Sequence, residues 1–270
     1  MADLLDSGRL YLRLIGARIR SQAQYRTSLA LETVGVLAFS FLDFIAILVI
    51  FANVPQLGGW GFPEVALLYA LATLAFALTD LVVGHLDHFP QLIRDGNFDL
   101  LLVRPRSTLF QLITADFQLR RLGKAAQGIA VLVFALSRLQ IDWSIDRVLV
   151  LALAPLSGAV IFGSIWVGVI CIAFWTVEGR EAANAFTYGG QTLAQYPINL
   201  YGEWLRGFLA FVVPTAFVSY FPALYVLGKA DQLGLPEWLR SLSIVVAAIG
   251  ALAAGAIWRV AVRHYRSAGG

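Results

Sequence analysis

The residues best equipped for chemistry in this chain are few, and their spacing assembles no active site. His85, Asp87 and His88 place three possible metal ligands within four positions. A metal normally needs three or four converging ligands, and no third histidine is near, since His264 lies at the far end of the chain. Gly163-Ser164 lacks the G-x-S-x-G spacing of a nucleophile elbow, and no histidine falls at comparable depth in an apolar block. A phosphate-binding loop ends in Gly-Lys followed by Ser or Thr, whereas Gly123-Lys124 and Gly228-Lys229 are each followed by Ala. Cys171 is the single cysteine and sits in an apolar block, so neither an intrachain disulfide nor a thiolate metal cluster can form. The reading is a chain without a metal site, a bound cofactor or a catalytic residue.

A second kind of chemistry is charge placed where charge is costly. Glu32, Asp43 and Asp80 lie in or beside long apolar runs, where an acidic group usually faces a partner or a cavity. Asp43 is the deepest; it suits substrate-cation binding or proton coupling, or else pairs with a polar group on a neighbouring helix. Glu32 and Asp80 stand toward the ends of their runs, within reach of arginines. Glu178, Arg180 and Glu181 form a charged cluster, with the two glutamates three apart on one helical face; a solvated face is the alternative. Trp166 and Trp175, with Phe162 and Phe174, can line a path for a flat or cationic substrate or simply pack.

The elements that position these residues are helices in a membrane. Of 270 residues 59% are hydrophobic and only 14% charged, with a mean hydropathy of +0.74, against about a quarter charged in soluble domains. The fold class expected is all-α: one membrane domain over 1–270, with an interfacial helix in 1–28, a six-span bundle in 29–260 and a tail in 261–270. The spans read as 29–51, 65–84, 122–136, 148–177, 207–227 and 241–258, the third being weakest because Lys124 interrupts it. Residues 9–26 put Arg9, Arg13 and Arg20 on one helical face and Leu12, Ile15 and Ile19 on another, as in a helix lying on the membrane surface or an ordinary solvated lead-in. With both termini inside, 16 Lys and Arg residues fall on the inner side and 4 on the outer, which satisfies the positive-inside rule. The net charge of +3 is accordingly a topology signal, not a nucleic-acid footprint.

The connections differ in content. Residues 53–62 form a short outer turn broken by Pro55, Gly58, Gly59 and Gly61. Residues 178–206 read as a polar inner segment. Pro214, Pro222 and Pro236 argue against one straight helix through 211–237, and a span that re-enters as short helices at the outer surface fits better. Residues 85–121 form a long charged inner loop. Within it Asp95-Gly96-Asn97 makes a turn, Phe98 and Leu100–Val103 an apolar stretch too short to cross a bilayer, and Arg104-Pro105 a stop. Such a stretch must dock on something, either the chain's own helices or a partner.

The string LIRDGNFDLLLVRPRS at 92–107 resembles the signature of the six-span ABC-2 type permeases, and WTVEGREAANAF at 175–186 and the segment 196–228 resemble later parts of that family. The resemblance implies a membrane subunit of an ATP-binding-cassette exporter, in the inner (plasma) membrane of a bacterium, with both termini cytoplasmic. It implies a coupling helix in the inner loop, with Arg94, Asp95, Gly96, Phe98, Leu101, Leu102, Arg104 and Pro105 matching the pattern that meets a separate ATPase. The partners implied are two ATPase subunits using ATP and Mg, and a second permease, identical or related. An ion-coupled carrier or channel built on Asp43 is the competing reading from the residues.

Overall fold

In hydrocarbon no water is present to bond the backbone, so apolar runs of this length can only be helical. The structure, a computed structural model, describes residues 13, 15–176, 179–231 and 236–265. Among them the only β-type contact is an isolated bridge between Leu57 and Trp60. Residues 15–23 are helical and lead into α1 (Arg26–Asn53). A turn with Gly58 and Gly59 at φ +55° and +81° reverses the chain. Then α2 (Phe62–Val83) starts on a cap in which Glu64 accepts the Gly61 N–H at 2.8 Å. A 3-10 turn (Gly84–His88) opens the long loop, which holds α3 (Phe89–Arg94), the single turn α4 (Asp99–Leu102) and α5 (Thr108–Ile113). The long helices α6 (Leu122–Arg138) and α7 (Ile145–Ile170) follow, then α8 (Gly179–Ala194). α9 (Glu203–Gly207) runs into a π-helical turn (Phe208–Val212), and α10 (Tyr220–Leu227) and α11 (Ser243–His264) complete the chain.

The helix α2 is the axis of the bundle. Residues from Val65 to Ala77 are all buried, because α6, α7 and α8 pack around them. Gly158 permits the closest of these approaches: a Cβ there would fall within 3 Å of Ala75 Cβ and Val218 Cγ1. α1, in contrast, buries only 11% of its most apolar window against 78% for α2, so it turns most of its surface outward.

Among the described residues four helices are long and apolar enough to cross a bilayer: Arg26–Asn53, Phe62–Arg94, Ile145–Phe174 and Ser243–His264. A fifth is added if Glu203–Val212 and Thr215–Leu227 count as one broken span, the two arms meeting at 71°. The expected span over 207–227 is thus not one helix; Pro214, which has no N–H to donate, stands at the break. The expected third span is a helix of 17 residues, about 25 Å at 1.5 Å per residue, somewhat under the hydrocarbon thickness of about 30 Å.

The segment expected as a polar inner connection contains α8 instead. Its chain runs from Tyr188, bonded to Asp87 beside the long loop, to Asn199, which donates to the Gly58 carbonyl in the turn between α1 and α2 at 2.7 Å. This chain therefore joins the loop end of the bundle to the turn end. Hydropathy conceals it because Thr187, Gln191 and Gln195 are turned into the protein, where their polar groups find partners. The expected surface helix is described only from residue 13 on, with 9–12 outside the described residues. Its later part is docked on protein: Arg18 donates to the Ala115 carbonyl at 2.7 Å, and Gln22 bonds the Phe117 carbonyl and the Leu119 N–H.

Candidate functional site

Three kinds of contact hold the loop 84–121 against the bundle. Aromatic packing fixes its middle: Phe98 is fully buried and meets Phe89, Phe174 and Tyr265 at centroid distances of 5.6, 5.3 and 4.9 Å. A tight backbone turn places Phe98 there; Gly96 N–H bonds Ile93 O and Asn97 N–H bonds Leu92 O, with Gly96 at φ +69°, a conformation that favours glycine. Side chains then staple the far limb. Gln111 Nε2 donates to the carbonyls of Leu101 and Arg106 at 3.0 and 2.7 Å, and Trp258 Nε1 of α11 donates to Thr108 Oγ1 at 3.1 Å.

This scaffold divides the sequence-predicted coupling residues into two sets. Phe98 and Leu101, three apart, share the inward face; Phe98 anchors the loop on its own bundle and is not exposed to a partner. Leu102, Arg104 and Pro105 are exposed, as are Arg94 and Asp95, whose carboxylate accepts Gln91 Nε2 at 2.7 Å. Sequence reasoning missed Leu100 and Val103 as outward anchors, although they are 58% and 82% exposed; the helical period around Phe98 was the signal that separates them. The result is an exposed apolar edge, Leu100, Leu102 and Val103, continued by Arg104, on a loop bonded to α7, α11 and the N-terminal helix. The helix expected here amounts to one α-helical turn.

The model of a family described as ABC-2 family transporter protein matches residues 37–269. The chain belongs to the ABC-2 transporter family. The comparisons with curated proteins and with solved structures return no match. The match takes in the whole loop and every long helix from α2 on, so the permease's loop and bundle are read together.

The root of the loop holds a largely buried ion pair. Asp80, in the last turn of α2, pairs with Arg121 at 3.0 Å, both side chains 16% exposed, and Arg121 also bonds the Asp80 backbone carbonyl. Gly84 makes room for this pair. One turn on, Asp87 accepts Trp166 Nε1 of α7 at 3.2 Å and the Tyr188 hydroxyl of α8 at 3.3 Å. Trp166 is fully buried and stacks on Phe76; Trp175 is 55% exposed beside His264. His85 is engaged as well, its Nε2 2.5 Å from the Leu112 carbonyl oxygen. Asp116 at the loop exit titrates below the usual carboxylate range. Burial opposes its ionisation, but hydrogen bonds from Gln118 and the Phe117 N–H and the charges of His85 and Arg18 outweigh that.

A second polar tract lines α2 on the side between α1, α6 and α8. Lys124 Nζ donates to Gln191 Oε1 at 2.9 Å and sits 4.4 Å from the Phe76 ring centroid. Gln127 donates to the Tyr69 hydroxyl at 2.8 Å, and Gln195 approaches Thr73 Oγ1 at 3.4 Å. Asp43 is exposed on α1, close enough for its charge to act on Lys124, Tyr69 and Tyr196. Glu32 meets Arg120 at 3.5 Å, with both side chains about half exposed. Of the expected cluster, Glu178 lies outside the described residues, as does the side chain of Arg180; Glu181 is exposed.

Proposed function

We propose that this permease is the membrane half of an exporter driven by a separate ATPase. The anchored loop with its exposed apolar edge carries the reading. Two ATPase subunits closing on ATP and Mg can move membrane helices only through an element that is stiff and held at both ends. Leu100, Leu102 and Val103 supply apolar anchors at the outer face of such an element, with Arg104 at the rim. A push on this edge travels through Phe98 to Phe174 and Tyr265, through Asp87 to α7 and α8, and through Arg18 and Gln22 to the N-terminal helix and α1.

In this reading the bilayer is crossed six times, by α1, α2, α6, α7, α8 and α11, with both termini in the cytoplasm and the α9–α10 pair dipping in from the outer side. The charge distribution supports it. Placing Arg206 outside still leaves 15 of the 20 Lys and Arg residues on the inner side. Exposed Trp143, Trp204 and Trp238 all fall at the outer end, as interfacial anchors do. The two short helices α6 and α8 are accommodated by local thinning and by flanking segments. Asp43, beside this buried polar tract, is exposed at the chain's surface, where lipid would be a poor solvent for it. A second permease facing it completes a path for a substrate leaving the cytoplasm or inner leaflet by alternating access.

The test is a cysteine at Val103. It is expected to cross-link to a copurifying ATPase, and Val103→Glu to abolish both the cross-link and substrate-stimulated ATP hydrolysis while leaving the fold intact. Labelling of the Val103 cysteine by an impermeant reagent added outside intact cells would overturn the reading.

A further inference from the structure

The outer end of the bundle contains a slot that coupling to an ATPase does not use. It lies between α7, α10 and α11 and holds about 250 Å³. Its walls are almost entirely apolar, formed by Leu149, Val150, Leu153, Ala154, Pro222 and Ile244. Along α7 the lining runs from Asp146 to Ser157, which is about 16 Å of helix at 1.5 Å per residue. The slot is therefore long and narrow. Its rim faces outward, since Leu149, Leu153 and Ile244 are 54%, 38% and 54% exposed.

The mouth is of different chemistry. Arg240 lines it, with a side chain only 11% exposed. Its guanidinium is under-satisfied: Nη1 reaches the Lys229 carbonyl at 3.2 Å and Glu237 at 3.6 Å, and Nε is buried with no hydrogen-bond partner among the described residues. Glu237 itself is 88% exposed and is a weak counter-ion. Asp146, the carboxylate at the same mouth, is occupied by the Tyr225 hydroxyl at 2.8 Å. A buried arginine with an idle donor is costly, and a planar guanidinium is well matched to a phosphate. Trp143 and Trp238, close in sequence to the lining residues Asp146 and Arg240, are exposed, as headgroup-depth anchors are.

We infer that the slot binds one anionic phospholipid of the outer leaflet, with its phosphate at Arg240 and one acyl chain laid along α7 toward Ser157. Charge complementarity selects the headgroup, and the length of the apolar wall selects the chain. The site depends on the six-crossing orientation for its depth and not on the ATPase, so the isolated permease can be tested.

The permease is purified in mild detergent, depleted of lipid and exposed to phosphatidylglycerol or phosphatidylcholine of equal chain length, and retained lipid is counted by native mass spectrometry. The expected result is one tightly held phosphatidylglycerol, retained at least tenfold better than phosphatidylcholine. Arg240→Gln is expected to abolish that preference while a chain is still held, and Leu153→Trp, which fills the slot at its rim, to abolish retention of both lipids. Circular dichroism verifies that each variant is folded. Equal retention of the two lipids by the unaltered protein would overturn the inference, as would an undiminished preference in folded Arg240→Gln or undiminished retention in folded Leu153→Trp.

Discussion

Gly84→Ala is the smallest change that should disable the root of the loop 84–121. Gly84 has an ordinary right-handed backbone, φ −62° and ψ −21°, which alanine adopts without strain. Local propensity would even favour alanine by about 1 kcal/mol. Space decides otherwise, because a Cβ at this position would lie within 3 Å of both Arg121 Nη1 and Asp80 Oδ1. Both atoms are side-chain tips, so admitting the methyl means displacing them from this paired geometry, and each is 16% exposed, so water compensates only in part. Breaking a buried pair costs about 3–5 kcal/mol. Allowing for the residual exposure and the propensity gain, the expected net loss is about 2 kcal/mol. The assay is unfolding of purified permease in mixed micelles titrated with sodium dodecyl sulfate, for Gly84→Ala, Arg121→Gln and the double variant. Because both single changes remove the same pair, the double variant should cost little more than either one. Additive losses, or a Gly84→Ala protein as stable as the original, would refute the argument that this glycine exists to admit the pair.

Three further outcomes follow from the same geometry. Gly123→Ala should destabilise by about 1–3 kcal/mol despite better helix propensity; its Cβ would stand 2.5 Å from the Thr33 carbonyl and 3.1 Å from the Leu37 nitrogen, forcing α1 and α6 apart, and the same detergent titration measures it. Asp87→Ala leaves the buried Trp166 indole N–H without its acceptor, a loss of about 1–3 kcal/mol, and should shift tryptophan emission and uncouple ATP hydrolysis from transport where the single turn α4 remains docked. Asp116 has a folded pKa below its ordinary value of 3.8, so its stabilising contribution is complete above that value and disappears as pH falls through the folded one. Hydrogen exchange at 115–119 should therefore be unchanged between pH 7 and 5, after correction for intrinsic rates, and accelerate below about 3.8.

The sequence alone was enough to settle the solvent and the family. Runs of about 20 apolar residues admit only helices in hydrocarbon, and the string around Arg94–Pro105 singled out a loop that packs on the bundle through Phe98 and Thr108. Pro214, Pro222 and Pro236 also spoke against one straight helix, and the bend falls at Pro214. What the sequence left undetermined was which residues face which way. Hydropathy averages over a helix, so it read 207–227 as one element where the two arms meet at 71°, and it read 178–206 as a polar connection where α8 and the residue after it turn Gln191 and Gln195 onto Lys124 of α6 and Thr73 of α2, brought near by folding. The same holds for Phe98, whose aromatic character suits a partner's groove and its own bundle equally well. Only the positions of Phe89, Phe174 and Tyr265, distant in the chain, make it an anchor, and so leave Leu100 and Val103 to face outward. Local patterns fix helix and solvent because those depend on neighbours in sequence; satisfaction of a buried polar or aromatic group depends on neighbours in space.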